Sequence, residues 1–196
     1  MINTEIQRNV IINMLRYFHK NTKYCHLLKM MKLIFLSDFY SLRESGDVIS
    51  GLEYKKYPMG PVPEEFYRKL KNNELSTEWG IRLVKNTFDR NIDETDDYAY
   101  DFHFDKESFD DDYFSKNEIE ILKKVVYTYK ELKSKDISII THKGEEGYPW
   151  LNTEVGEKIE FKKLLGKTPS EKQLLFFNDV FEVNQKIRER NKLYES

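Results

Sequence analysis

The stretch that decides the fold is Leu27-Leu28-Lys29-Met30-Met31-Lys32-Leu33-Ile34-Phe35-Leu36-Ser37-Asp38-Phe39-Tyr40-Ser41-Leu42-Arg43-Glu44-Ser45-Gly46. Leu28, Met31, Phe35 and Phe39 recur at helical spacing, and Leu27, Ile34 and Leu42 widen the stripe over much of the circumference. A helix apolar on most of its sides belongs inside a core, so a central helix is expected from about Cys25 to Ser45. Gly46 supplies its stop, because glycine enters the left-handed region without steric cost. Lys29, Lys32, Ser37 and Asp38 interrupt the apolar run, which is too short and too polar to span a bilayer.

On the N-terminal side, Thr4 and Gln7 have the spacing of a capping box, and Ile6, Val10, Met14 and Phe18 follow at helical period. On the C-terminal side the pattern changes. Val48 to Ser50 and Leu52 to Tyr57 read as two short strands turning at Gly51. Tyr57-Pro58-Met59-Gly60-Pro61-Val62-Pro63 cannot be helical, because three prolines remove donors and hold their neighbours extended. Pro63 can open the next helix, which carries Phe66, Tyr67 and Leu70 and ends near Asn72. Tyr98, Tyr100, Phe102 and Phe104 alternate with Ala99, Asp101 and His103, so all four aromatics fall on one face of a strand. Ser115 and Glu118 form a capping box for a helix with Ile119, Leu122, Val126 and Tyr129 inside. A helical turn follows near 136–141. Thr168-Pro169-Ser170-Glu171 opens a last helix with Leu174, Phe177, Phe181 and Ile187 inside, frayed beyond Arg188.

The expected fold class is mainly α (α+β): a compact helical domain with a small β-hairpin or sheet element and a C-terminal helix. Residues 1–166 are read as one domain with an acidic elaboration at about 76–114, and 167–196 as a helical extension. At 196 residues, 39% hydrophobic and with 26 Phe and Tyr side chains, the chain can bury a core without disulfides or metals. Its one cysteine, Cys25, excludes an intramolecular disulfide and a Cys-based zinc site, and fits a reducing, cytoplasmic location. The net charge of −2 conceals a segment from Asp89 to Phe114 in which nine Asp and two Glu face only Arg90 and Lys106. That run is either a solvated loop or an acidic surface for a partner, with Asp110, Asp111 and Asp112 at its rim.

The inventory of reactive groups is thin. Cys25 and His26 are neighbours that point about 100 degrees apart on a helix, so they do not form a nucleophile–base pair. No phosphate loop, serine elbow or two-histidine metal motif is present, so no catalytic residue, cofactor or metal is expected. His142 lies in Thr141-His142-Lys143-Gly144-Glu145-Glu146-Gly147-Tyr148-Pro149-Trp150. It reads as a base beside carboxylates, as part of a groove with Trp150, or as a structural histidine hydrogen-bonded to backbone beneath that tryptophan. The stretch from Tyr57 to Pro63 reads as a rigid turn that can also present a stiff apolar surface. His19, Lys20, Lys23, His26, Lys29 and Lys32 could form a basic patch, but a pI of about 6.1 and the lack of a helix-turn-helix pattern make nucleic acid an unfavoured partner.

Three of these stretches together resemble one family. Leu28 to Tyr40 looks like its opening helix. Gly46-Asp47-Val48-Ile49-Ser50-Gly51 followed by Tyr57-Pro58-Met59-Gly60-Pro61-Val62 looks like its strand-turn signature. Thr141-His142 followed by Pro149-Trp150 looks like its C-terminal signature. The resemblance, spanning about Leu27 to Trp150, is to the Panacea family of SocA-like antitoxins found in bacteria, their phages and mobile elements. It implies a mainly helical domain with a small β element that binds a protein toxin, encoded adjacently, and blocks it. It also implies an alternative: in one branch such a domain hands its partner to an ATP-dependent protease as an adaptor, or regulates by interaction alone. No catalytic residue is carried over. Tyr57, Pro58, Met59, Gly60, Pro61, Val62, His142, Pro149 and Trp150 are the candidate contact residues. Tyr98, Tyr100, Phe102, Phe104 and Asp110 to Asp112, in the stretch that departs from the family pattern, are candidates for partner specificity.

Overall fold

The computed structural model describes residues 5–85, 100–106 and 108–187. Its helices are α1 (Glu5–Asn21), α2 (Leu27–Ser45), α3 (Glu64–Lys71), α4 (Ser76–Trp79), α5 (Lys116–Tyr129), α6 (Ser134–Ile140), α7 (Gly144–Leu151) and α8 (Glu171–Phe176). α8 runs on through a π-turn at Phe177–Phe181 to residue 187. The strands are β1 (Lys55–Tyr57), β2 (Gly60–Val62), β3 (Ile81–Lys85) and β4 (Tyr100–Phe104), paired as two separate antiparallel hairpins. The fold is mainly helical with a small sheet element, as the sequence predicts. Among the described residues no helix is long and apolar enough to cross a membrane.

α2 is the centre. It buries fifteen of its nineteen residues, so every side of it is packed. α1 contributes Ile11, Met14, Leu15 and Phe18, and α5 contributes Ile121, Leu122, Val125 and Tyr129. Three of α2's buried residues are charged: Lys29, Lys32 and Asp38 are each 0% exposed. Burying charge is costly unless hydrogen bonds replace its water. Each charge finds its replacement in a loop. Lys29 Nζ donates to the carbonyls of Lys23 at 2.6 Å, Lys130 at 3.0 Å and Leu132 at 2.7 Å, joining the α1–α2 and α5–α6 connections. Lys32 Nζ donates to the Met59 carbonyl in the β1–β2 turn. Asp38 accepts from the Ser50 amide at 2.8 Å, from the Ser50 hydroxyl and from the Tyr54 hydroxyl at 2.7 Å. Burial pushes the Asp38 carboxyl up to about 6, although these hydrogen bonds pull the other way.

That carboxylate corrects one sequence expectation. Val48 to Ser50 is not a strand, because the Ser50 amide is spent on Asp38 and Gly51 bends the chain at φ +64°. Extended pairing starts only at Lys55. Other boundaries move by a residue or two. α2 begins at Leu27 with His26 at its N-cap, and Pro63 stands at the N-cap of α3, not inside it. Ser170, not Thr168, caps the last helix, with Gln173 closing its capping box. α5 keeps the Ser115–Glu118 box, but Ile121 and Val125 take the deep positions assigned to Ile119 and Val126. Phe177 and Phe181 are buried in the last helix as expected, while Ile187 is exposed. Thr4, Tyr98, the acidic residues between 89 and 97, and the chain beyond Arg188 lie outside the described residues.

β3 went unforeseen. It pairs along its length with β4, Leu83 opposite Phe102. Asn73 lies against the middle of β3: its side-chain amide accepts from the Leu83 N–H at 2.9 Å and donates to the Leu83 carbonyl at 3.4 Å. An amide side chain placed this way stands in for a neighbouring strand. At the other end of the molecule the last helix packs on the C-terminal end of α2, where Gln173 Nε2 donates to the Arg43 carbonyl at 3.3 Å and Asn184 Nδ2 to Asp47 at 2.7 Å.

Asp38→Leu tests the central packing. It leaves the Ser50 and Tyr54 donors buried without an acceptor, so chemical denaturation is expected to show a loss of about 2–4 kcal/mol. An unchanged midpoint would mean that the network contributes nothing net.

Candidate functional site

The motif stretches meet at the turn of the β1–β2 hairpin. Tyr57 pairs with Gly60, so Pro58 and Met59 form the tip. Two of its carbonyl groups are tied to helices of the domain. Lys32 Nζ, from α2, donates to Met59, and Trp150 Nε1, from α7, donates to the Tyr57 carbonyl at 2.7 Å. Ser138 of α6 brings its hydroxyl to 3.5 Å from the Met59 carbonyl. Trp150 is itself clamped: the His142 ring stacks on it at 3.9 Å and 12°, and Lys56 Nζ lies 4.6 Å from its ring centroid while donating to the Thr153 carbonyl at 2.7 Å.

Two glycines make this approach possible. Gly60 has φ +120°, and a Cβ there would stand 3.1 Å from Lys32 Nζ, 3.4 Å from His142 Nε2 and 3.5 Å from Thr141 Oγ1. At Gly147 a Cβ would fall 2.6 Å from the His142 carbonyl carbon, so α7 can close on His142 only through a residue without a side chain. α7 is fixed further by Glu145, 3.0 Å from Arg43 NH1, and by Glu146, which accepts from the Tyr40 hydroxyl at 2.9 Å.

The electrostatics of the cluster are one-sided. Burial drives the Lys32 ammonium down to about 8, and among the described residues no carboxylate pairs with it. His142 is held below its ordinary value by burial first and by Lys32 next. Its ring lies against the Met59 backbone, yet Nε2 is buried without a partner in hydrogen-bond geometry. The stacked tryptophan foreseen for His142 is therefore present, and the Met59 backbone is the polar group that its ring meets.

Tyr57, Pro58 and Met59 are exposed, Gly60, Pro61, Val62 and Pro149 are buried, and His142 and Trp150 are half-buried. Outside the hairpin, the positions next to its anchors are also exposed and apolar: Ile139 beside Ser138, Leu151 beside Trp150, and Val155 beside Gly156, whose amide donates to the Lys56 carbonyl at 2.9 Å. A separate cleft is lined by Leu52, Tyr54, Lys55, Glu64, Phe66 and Lys158, with Lys55 held by Glu64 and Lys158 by Glu53.

The aromatic strand packs on its own domain. Phe102 is buried, Tyr100 and Phe104 are half-buried against the core, and His19 meets the Phe104 ring edge-on at 5.4 Å. Asp110, Asp111 and Asp112 are exposed in a short 3-10 turn, with carboxylate oxygens within 4.8 Å of one another. The basic patch does not assemble. Lys29 and Lys32 are inside the core, Lys23 pairs with Glu131 at 2.8 Å, and His26 pairs with Asp101 at 2.8 Å. Lys32 is thus a buried anchor where the sequence suggested a surface charge. Its signal was its place in a helix with no polar side to carry it. Burial also pushes the Cys25 thiol up to about 11, which keeps it protonated.

Fold and site together define a mainly helical domain that mounts an exposed turn on a buried, hydrogen-bonded base. The chain belongs to the family of SocA-like antitoxins with a Panacea domain, whose model matches residues 30–150, more than half of its length. The matched region begins in α2, ends at Trp150 and holds every side chain of the base. No curated protein and no solved structure matches the chain.

Gly60→Val places a β-branched side chain at φ +120° and against Lys32. Backbone strain alone should cost about 1–3 kcal/mol, read as a lowered melting temperature; an unchanged one would show that the turn relaxes freely. Lys32 gives a pH signature. Between about 8 and 10.5 the unfolded chain keeps a proton that the folded chain has released, so this group's contribution to stability rises with pH across that window. A shift of this size is worth about 3 kcal/mol at 1.36 kcal/mol per unit. The stability of the Lys32→Met variant relative to wild type should therefore shrink by about 2 kcal/mol from pH 7 to 9.5, where about 1.5 of those units have been crossed. A constant difference would mean that Lys32 titrates normally.

Proposed function

We propose that this protein is an antitoxin that neutralises a cognate protein toxin by binding it directly through the face around the β1–β2 turn. Family membership supports a toxin as the kind of partner. The observation that carries the reading is the contrast between the two sides of the turn. Its carbonyls are bonded to Lys32 and Trp150, while Tyr57, Pro58 and Met59 are exposed, as are Ile139, Leu151 and Val155 next in sequence to its anchors. A stiff apolar surface loses little entropy on binding. Binding is favoured over catalysis because the two reactive side chains one would inspect first are quenched: the Cys25 thiol stays protonated, and His142 is stacked on Trp150. Such a protein works in the cytoplasm, where its toxin is made. The exposed acids at 110–112 can add to the association rate with a basic toxin.

Co-expression tests this. A protein encoded beside this chain should arrest growth when expressed alone, co-purify with the chain, and be relieved by it. Met59→Asp should abolish relief without lowering the melting temperature, because the side chain is exposed. A harmless neighbour, or relief that survives Met59→Asp, contradicts the proposal.

A further inference from the structure

We infer that Lys32 is a positioning residue for the contact turn, kept buried and charged at the expense of global stability. The inference rests on the proposed binding role of that turn but concerns a residue beneath it. Lys32 lies 0% exposed in the middle of α2, flanked by Met31, Leu33 and Phe35 of the core. Its ammonium has one hydrogen-bond acceptor among the described residues, the Met59 carbonyl, against the three that Lys29 satisfies nearby. His142, which faces it across Gly60, brings a ring and no counter-charge. An ammonium with so few compensating contacts lowers stability relative to an apolar side chain of the same length. Packing therefore does not account for a lysine here. Its one bond does something packing cannot: it fixes the tip of the hairpin relative to α2, while Trp150 fixes the other carbonyl of the same turn relative to α7. With both bonds made, the turn has a single orientation on the domain. Without Lys32 the Met59 carbonyl loses its shortest hydrogen bond, keeps the 3.5 Å contact from Ser138, and the tip is held less firmly.

The experiment uses the full-length chain and its Lys32→Met variant. Three quantities are read: melting temperature, amide hydrogen exchange at Tyr57, Met59 and Gly60, and relief of growth arrest caused by the adjacently encoded protein. Lys32→Met should melt at or above the wild-type temperature. Exchange at those three amides should accelerate at least about tenfold with the rest of the chain unchanged, as for a local opening. Relief of arrest should fall. Trp150→Phe, which keeps the ring and removes the other donor, should loosen the same amides. A lowered melting temperature in Lys32→Met would overturn the inference by making Lys32 an ordinary structural anchor, and so would unchanged exchange at the turn. If the wild-type chain itself gives no relief, the toxin reading falls, and the exchange data still decide the role of Lys32.

Discussion

Every loop that matters in this structure is fastened to a charge that α2 carries into the core. A helix with no polar side has nowhere to put Lys29, Lys32 and Asp38 except among packed side chains, and each then requires polar partners that a hydrophobic core lacks. Backbone groups from the loops supply them. Lys29 draws in the connections that follow α1 and α5, Asp38 bends the segment after α2, and Lys32 holds the hairpin turn. Arg43, near the end of the same helix, continues the scheme by donating to the Leu165 carbonyl at 2.5 Å and pairing with Glu145 of α7. Several of the described connections are thus placed by one regular element.

The arrangement separates two demands. The loops need definite positions if they are to meet a partner, yet loops bury little apolar area that could fix them. Hydrogen bonds to buried charge give direction where burial gives only adhesion. The hairpin shows the consequence. Its inner side is occupied by Lys32, Trp150 and the His142 stack, and its outer side is left to Tyr57, Pro58 and Met59. The region matched by the family runs from α2 to Trp150, and the turn lies between those two supports.

Much of this was legible in the sequence, for reasons that can be named. The apolar stripe of α2, its Gly46 stop and the Ser115–Glu118 box are local signals, and all three stand. The three-proline turn was legible because proline leaves few conformations open. What sequence could not show was tertiary. The Val48–Ser50 stretch has strand-like residues, but Asp38, twelve positions away, captures its amide. β3 carries too short a pattern to stand out, and its pairing with β4 crosses the acidic stretch. Lys32 looked like one of several basic residues at a helix junction, since period alone does not say on which side a lysine is solvated. The aromatic face of β4 was recognised, and its three described aromatics, Tyr100, Phe102 and Phe104, pack against the domain as a row of apolar area requires.

The central claim is that the partner meets the mounted turn. It is tested most directly by amide hydrogen exchange on the wild-type chain, alone and saturated with the protein that co-purifies with it. The account predicts that protection on binding centres on the amides of Tyr57, Met59 and Gly60 and extends to the neighbourhoods of Ile139, Leu151 and Val155. Protection confined to the turn at Asp110–Asp112 or to the helix at 171–187, with the hairpin exchanging as in the free chain, would contradict it.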